Sequence, residues 1–138
     1  MRGPIYIHLT WTTFARSPLI KPRVAEFLKA FLPAECVRHA AKLVALGIVD
    51  DHVHTIIALP LTFDVPRLVM GLKGASARIA NRDGIAERES LRWEQGYDLR
   101  SVSPRQLDEA IAYVRNQKER HGARASLRTL PAGAEPPL

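Results

Sequence analysis

The sequence predicts an α+β fold, an antiparallel sheet with its helices mainly on one face. Three observations predict it. A clean period-two alternation opens the chain, stripes of helical period follow, and the patterned segments run strand, helix, strand, strand, helix, strand, helix. At 138 residues, with 46 % hydrophobic and 25 % charged residues, the chain is one domain's worth and long enough for a real core.

"IYIHLTWTT" sets Ile5, Ile7, Leu9 and Trp11 on one face and Tyr6, His8, Thr10 and Thr12 on the other, as a strand with one face in a core does. "SPLIKPR" reads as a loop, and Pro22 suits the first turn of a helix carrying Val24, Phe27, Leu28 and Phe31. Pro33 lacks an N–H and its ring crowds the preceding turn, so a kink or break is expected before "AECVRHA". "KLVALGIV" reads as a second strand buried on both faces. "HVHTIIAL" is a third, joined to it by the tight polar Asp50–Asp51. Asp64 can cap a helix over residues 65–82, with Pro66 in its first turn. Val65, Leu68, Val69, Leu72, Ile79 and Ala80 form its apolar stripe, while Gly71 and Gly74 leave its other side bare for close approach. "RDGIAERESLR" is a charged connector and "WEQGYDLRSV" a fourth strand. Ser103 caps a final helix, with Pro104 at its start, Gln106 at the capping-box position, and Leu107, Ala110, Ile111 and Val114 as its buried stripe. There is no internal repeat. A ferredoxin-like arrangement accommodates this order. The domain is expected over residues 1–128, and the Pro- and Ala-rich residues 129–138 are expected to form a disordered tail.

Composition narrows the function. The single Cys36 excludes an internal disulfide and fits a reducing, cytoplasmic setting. The N-terminus has no signal-peptide pattern, and no run approaches the roughly 18 apolar residues that span a bilayer. A net charge of +6 points to a polyanionic partner, nucleic acid above all. The charge is clustered: residues 115–128 hold five Lys or Arg against Glu119 alone, and Arg67, Lys73, Arg78 and Arg82 share one predicted helix.

The residues that could do chemistry sit at two places. His52 and His54 are two apart on a strand, so both imidazoles point the same way while Val53, Thr55, Ile57 and Leu59 point toward the helices. Such a pair can converge on a cation, although His-x-His on a half-exposed strand is more often incidental than ligating. Two ligands are too few for a site. The last helix offers a third, for Tyr113 and Gln117 are four apart and flank its apolar stripe. Gln117 could give an amide oxygen to a metal and Tyr113 a phenol beside it. The bland alternative is a boundary tyrosine with its hydroxyl in water.

Taken together, these segments resemble one family. "HVHTIIALP" looks like the His-hydrophobic-His ("HUH") strand of the single-tyrosine transposases, which include bacterial insertion-sequence and REP-associated tyrosine transposases. "HLTWTTFARSPLI" resembles that family's first strand and loop, "LKGASARIANR" its central helix, "WEQGYDLRSVS" its Trp-x-x-Gly-Tyr strand, and "YVRNQKERH" its catalytic helix near the C-terminal end. The blocks stand in the family's order over roughly residues 5–121.

The resemblance implies an enzyme that cuts and rejoins single-stranded DNA beside hairpins through a covalent 5′-phosphotyrosine. Tyr113 would be the nucleophile, and His52, His54 and Gln117 would hold Mg²⁺ or Mn²⁺. Two imidazoles are softer than Mg²⁺ prefers, so Mn²⁺ should bind better in vitro. Lys73, Arg78, Arg82, Lys118, Arg120, His121 and Arg124 could track a DNA backbone. Trp93 and Tyr97 could stack bases, with core packing the better reading for Trp93. Asp50 and Asp51 could orient an imidazole or simply form a polar turn. Both a homodimer and a monomer remain open. Two other classes compete: a catalytically inactive or domesticated protein that grips hairpin or single-stranded nucleic acid, and a small metal-dependent hydrolase that uses water.

Overall fold

The structure is a computed structural model and describes residues 4–117; the expected tail and Lys118, Arg120, His121 and Arg124 lie outside the described residues. In order come β1 (Ile5–Thr12), α1 (Pro22–Arg38), β2 (Lys42–Val49), β3 (His52–Leu59), α2 (Val65–Val69), a π-helical stretch (Met70–Ala75), α3 (Ser76–Arg82), β4 (Asp98–Val102) and α4 (Leu107–Arg115). The four strands form one antiparallel sheet in the order β2-β3-β1-β4. That strand order, with this succession of elements, is ferredoxin-like, as the sequence predicts.

The period-two alternation decides which face is which. Ile7, Leu9 and Trp11 of β1 and Val53, Ile57 and Leu59 of β3 are buried together with Val24, Leu28, Leu32 and Cys36 of α1 and with Leu68, Val69, Leu72 and Ala80. The other face carries α4, where Val114 is buried with Ala45, Ile56 and Val102, and Leu107, Ala110 and Ile111 are half-buried beside it. The polar face of β1 is therefore not a solvent face. His8 and Thr10 are buried on it.

Five expectations are revised. α1 runs unbroken through Pro33. Its buried residues Val24, Leu28, Leu32 and Cys36 recur every four positions on both sides of the proline, and their shared core outweighs the roughly 3 kcal/mol that an interior proline costs. The expected 65–82 helix is continuous, but its middle turns are π-helical, which keeps Leu72, Ser76 and Ala80 on the buried side four residues apart. The fourth strand is split: Trp93 bridges Thr13 alone, the chain turns at Gly96 (φ 88°), and regular pairing covers only Asp98–Val102. α4 begins at Leu107, not Pro104, because Ser103 to Gln106 form a separate turn in which the Gln106 side-chain oxygen accepts from Ser103 N–H (3.4 Å) and Oγ (3.1 Å). β2, expected to be buried on both faces, is an edge strand alternating buried Ala45, Gly47 and Val49 with half-buried neighbours.

Gly71 does meet α1 closely, since a Cβ there would lie 2.3 Å from Glu35 Oε2, whereas a Cβ on Gly74 would meet nothing within 4 Å. Among the described residues no helix is long and apolar enough to cross a membrane.

Candidate active site

β3 lies between β1 and β2, and its register places Thr10 and Gly47 on either side of His54. His52 and His54 point to the α4 face with ring centroids 4.7 Å apart, and both are buried. Each uses Nδ1 on a protein neighbour.

His52 Nδ1–H donates to Asp51 Oδ1 at 2.6 Å, so its Nε2 keeps a free lone pair. Asp51 in turn accepts from Arg16 Nε at 3.2 Å. Burial alone would raise the Asp51 pKa, but the hydrogen bond and charge of His52, with Arg16, outweigh it and hold the carboxyl down at about 2. Arg16 reaches this position from a left-handed backbone, φ 55° at Ala15 and 56° at Arg16. Such conformations cost non-glycine residues about 1–3 kcal/mol each and persist only where their surroundings fix them. Here Phe14 N–H bonds Arg92 O (2.9 Å), Ala15 N–H bonds Glu94 Oε1 (2.9 Å), and Thr13 N–H bonds Asp51 O (2.9 Å). Asp50 supplies its carbonyl to Ile20 N–H at 3.0 Å and shapes the turn.

His54 Nδ1 lies 3.2 Å from His8 Nε2 and 3.2 Å from Thr10 Oγ1. Burial first, then the neighbouring His52, His8 and Arg16, push the His54 pKa well below its ordinary value. Burial, then Arg100, lowers His8 to about 4. The imidazoles of His54 and His8 are thus neutral at pH 7, and for His54 this is the form that can ligate metal.

α4 completes the site. The Tyr113 ring stands edge-on to His54 with centroids 5.8 Å apart and 6.3 Å from that of His8. Gln117, one turn on, is fully buried and its Nε2 donates to Tyr113 O at 3.3 Å. Gly47 makes this approach possible, because a Cβ there would lie 2.2 Å from Val114 O and 3.1 Å from Gln117 Cβ. Gly47 pairs across the sheet with His54, so Gln117 rests beside the histidine. Among the described residues no three His, Cys, Asp or Glu side chains are grouped to hold a metal, so within them a third donor to join His52 and His54 would be of another type. Gln117 Oε1 fits that role: it is buried and has no hydrogen-bond partner among the described residues. The donor set of two imidazoles and one amide oxygen suits a divalent cation of intermediate softness.

A sequence profile described as "Transposase IS200 like" matches residues 3–117, nearly all of the described chain. The chain belongs to the IS200-like transposase family. It is therefore a DNA transposase of the HUH type, an endonuclease and strand transferase that works through a tyrosine. The transposase is 26 % identical over 126 residues to the ISDra2 transposase TnpA of Deinococcus radiodurans, covering 86 % of this chain and 90 % of that one. A crystal structure of a Deinococcus radiodurans R1 protein, described there as a transposase, superposes with a TM-score of 0.68 at 27 % identity, covering 85 % of this chain and 93 % of that one. A REP-associated tyrosine transposase bound to a REP hairpin shares the fold, with a TM-score of 0.66 at 14 % identity over 88 % of this chain and 70 % of that one.

Of the residues singled out in the sequence, His52, His54, Tyr113 and Gln117 come together on one face of the transposase sheet. Lys73, Arg78 and Arg82 do not join them; they stand on the helices of the opposite face. Lys73 Nζ donates to the carbonyls of Glu94 (2.7 Å) and Gly96 (2.6 Å), Arg82 is paired with Asp83 (2.8 Å), and Arg78 is exposed. Trp93 packs edge-on against Trp11 with Nε1–H on Ser76 Oγ, while Tyr97 is exposed. Three residues of the site went unnoticed in the sequence: His8, Arg16 and Gly47. Only Gly47 carried a signal, since a glycine inside a strand marks a bulge or a close backbone approach.

Proposed function

We propose that this transposase cleaves and rejoins single-stranded DNA beside hairpins, with Tyr113 as the nucleophile and His52, His54 and Gln117 as the protein ligands of Mg²⁺ or Mn²⁺. The observation that carries the reading is one turn of α4. It sets the Tyr113 ring 5.8 Å from that of His54 and leads into Gln117, whose Oε1 is buried and unpartnered among the described residues and whose Cβ packs on Gly47, the strand partner of the same histidine.

The Tyr113 phenol oxygen bonds to the scissile phosphorus as the bond to the 3′ oxygen breaks. The products are a 5′-phosphotyrosine and a free 3′-hydroxyl, the proton passing from phenol to the leaving oxygen. Rejoining is the reverse, with another 3′-hydroxyl attacking the phosphotyrosine, so no external energy source is required. A phenol of pKa near 10 is a poor nucleophile until its proton is drawn off, and the buried flank of α4 orients it for in-line attack. A divalent cation, when bound, offsets charge on the phosphate oxygens. His52 and His54 serve as ligands because both hold Nδ1 on a neighbour and stay fixed in the sheet. The hairpin carried by the structurally similar REP-associated enzyme supports a hairpin substrate here. Arg78 and Arg82 on α3, with Lys118, Arg120, His121 and Arg124, would bind the DNA backbone, while Lys73 would support the loop at Glu94 to Gly96.

The test is incubation with labelled hairpin-containing single-stranded DNA, with and without Mn²⁺, followed by denaturing electrophoresis. A metal-dependent covalent adduct is expected for the wild type and should vanish in Tyr113→Phe and in His54→Ala. Cleavage without an adduct would replace the tyrosine mechanism by attack of water. Retarded bands on a native gel with neither adduct nor cleavage would leave only a binding protein.

A further inference from the structure

We propose that His8 is a positioning residue for the metal site: it can accept a hydrogen bond from His54 Nδ1 and so permits the tautomer of His54 whose Nε2 can ligate the cation. The inference rests on the metal site proposed above.

The antiparallel pairing of β1 with β3 sets Thr10 directly across from His54 and His8 across from Ile56, all on the α4 face. His8 is only 4 % exposed and its ring lies 5.3 Å from that of His54, tilted by 54°. Its Nε2 sits 3.2 Å from His54 Nδ1, and Thr10 Oγ1 stands at the same 3.2 Å. A neutral imidazole carries one N–H. If that hydrogen were on His54 Nε2, then Nδ1 would be the acceptor, His8 or Thr10 would donate to it, and no lone pair would face a cation. With the hydrogen on Nδ1, His54 donates and Nε2 is open. Both arrangements satisfy the same heavy-atom geometry, so the partner's acceptor lone pair is what permits the ligating one.

His52 is built differently. Its partner Asp51 is a carboxylate with no proton to give, so the Nδ1–H form is imposed whether or not a cation is present. His54 has instead a partner that can either give or take, and the cation selects the state. His8 does this from behind His54 and not as a ligand beside it, for no three His, Cys, Asp or Glu side chains among the described residues are arranged around a common centre. Partners of this kind are commonly worth about 10- to 100-fold in metal affinity. Because Thr10 is a second acceptor, the single loss of His8 should fall near the lower figure and the loss of both near the upper.

The experiment measures Mn²⁺ affinity of the full chain by the electron paramagnetic resonance of free Mn²⁺. His8→Phe keeps a ring without an acceptor, His8→Gln keeps an acceptor, and His8→Phe with Thr10→Val removes both. About a 10-fold loss in His8→Phe, recovery to within threefold in His8→Gln, and a further loss in the double variant are expected. A His8→Phe protein that binds Mn²⁺ as the wild type does would overturn the proposal. Nitrogen-detected NMR of the unmodified protein saturated with Mg²⁺ decides independently of whether the variants fold: His54 must show its hydrogen on Nδ1, and a hydrogen on Nε2 overturns the idea. If the folded wild type binds no Mn²⁺ at all, the metal site itself falls, which is a different result from a site that binds and ignores His8.

Discussion

At the scale of single residues, the site shows two ways of fixing an imidazole, and they differ in what supports them. His52 depends on an ionic relay, Arg16 to Asp51 to the ring, at 3.2 and 2.6 Å. Asp51→Asn keeps an oxygen that can accept from Nδ1 but loses the charge that holds Arg16, and its amide can also turn its NH₂ toward the ring. Mn²⁺ affinity should fall about 10-fold, read by titration of the variant against the wild type. An unchanged affinity would mean that the sheet alone orients His52. The residues legible in the sequence were those whose relation is local. His52 and His54 lie two apart on a strand, Tyr113 and Gln117 four apart on a helix, and Asp51 adjoins His52. His8 and Arg16 were not legible, because each acts on a residue dozens of positions away, His8 across a strand pairing and Arg16 from the loop that follows β1, and no local pattern specifies either contact.

At the scale of elements, two glycines make opposite predictions. Gly47→Ala would drive a Cβ to 2.2 Å from the carbonyl of Val114, a backbone atom that cannot turn aside, so α4 must lift from β2 and carry Tyr113 and Gln117 with it. Loss of the covalent adduct is expected together with a destabilisation of about 1–3 kcal/mol, measured by urea unfolding. Gly74→Ala meets nothing within 4 Å and should stabilise by about 0.4–1 kcal/mol without touching the adduct. A variant Pro33→Ala should also raise the unfolding midpoint, since it returns an N–H to a helix that never broke. No change there would mean that the helix has already relaxed around the ring. These cases show where sequence reading fails. Period-two strands and the stripes of α1, α2 and α4 were legible because burial follows local spacing. The unbroken Pro33 and the π turns were not, since both are local rules overridden by a core that the two ends of the helix share.

At the scale of the whole molecule, burying neutral histidines under α4 ties the fold's stability to pH, with a sign that can be worked out. His8 titrates at about 4 and His54 well below its ordinary value in the folded protein, whereas both would take up a proton near 6.5 once unfolded. Between those limits the unfolded chain binds more protons, so stability rises with pH and is lost as pH falls from about 6.5 toward 4, by up to roughly 1.4 kcal/mol per pH unit for each histidine. Asp51 behaves oppositely in origin and acts in a separate window. Held at about 2 when folded, it contributes stability that is complete above its ordinary value of 3.8 and is lost as pH falls from there. Metal-free protein melted with urea from pH 7 to pH 2 should therefore weaken in two successive windows. In His8→Gln the upper window should shrink while the lower one stays. A cation requires neutral His54, which the folded protein keeps well below pH 6.5, so added Mn²⁺ should go on stabilising the protein into the upper window and lose its effect only as the pH falls through the lowered folded value of His54. Equal sensitivity of wild type and His8→Gln throughout would show that burial beneath α4 does not set the acid response, and the charge-neutral centre of the site would need another explanation.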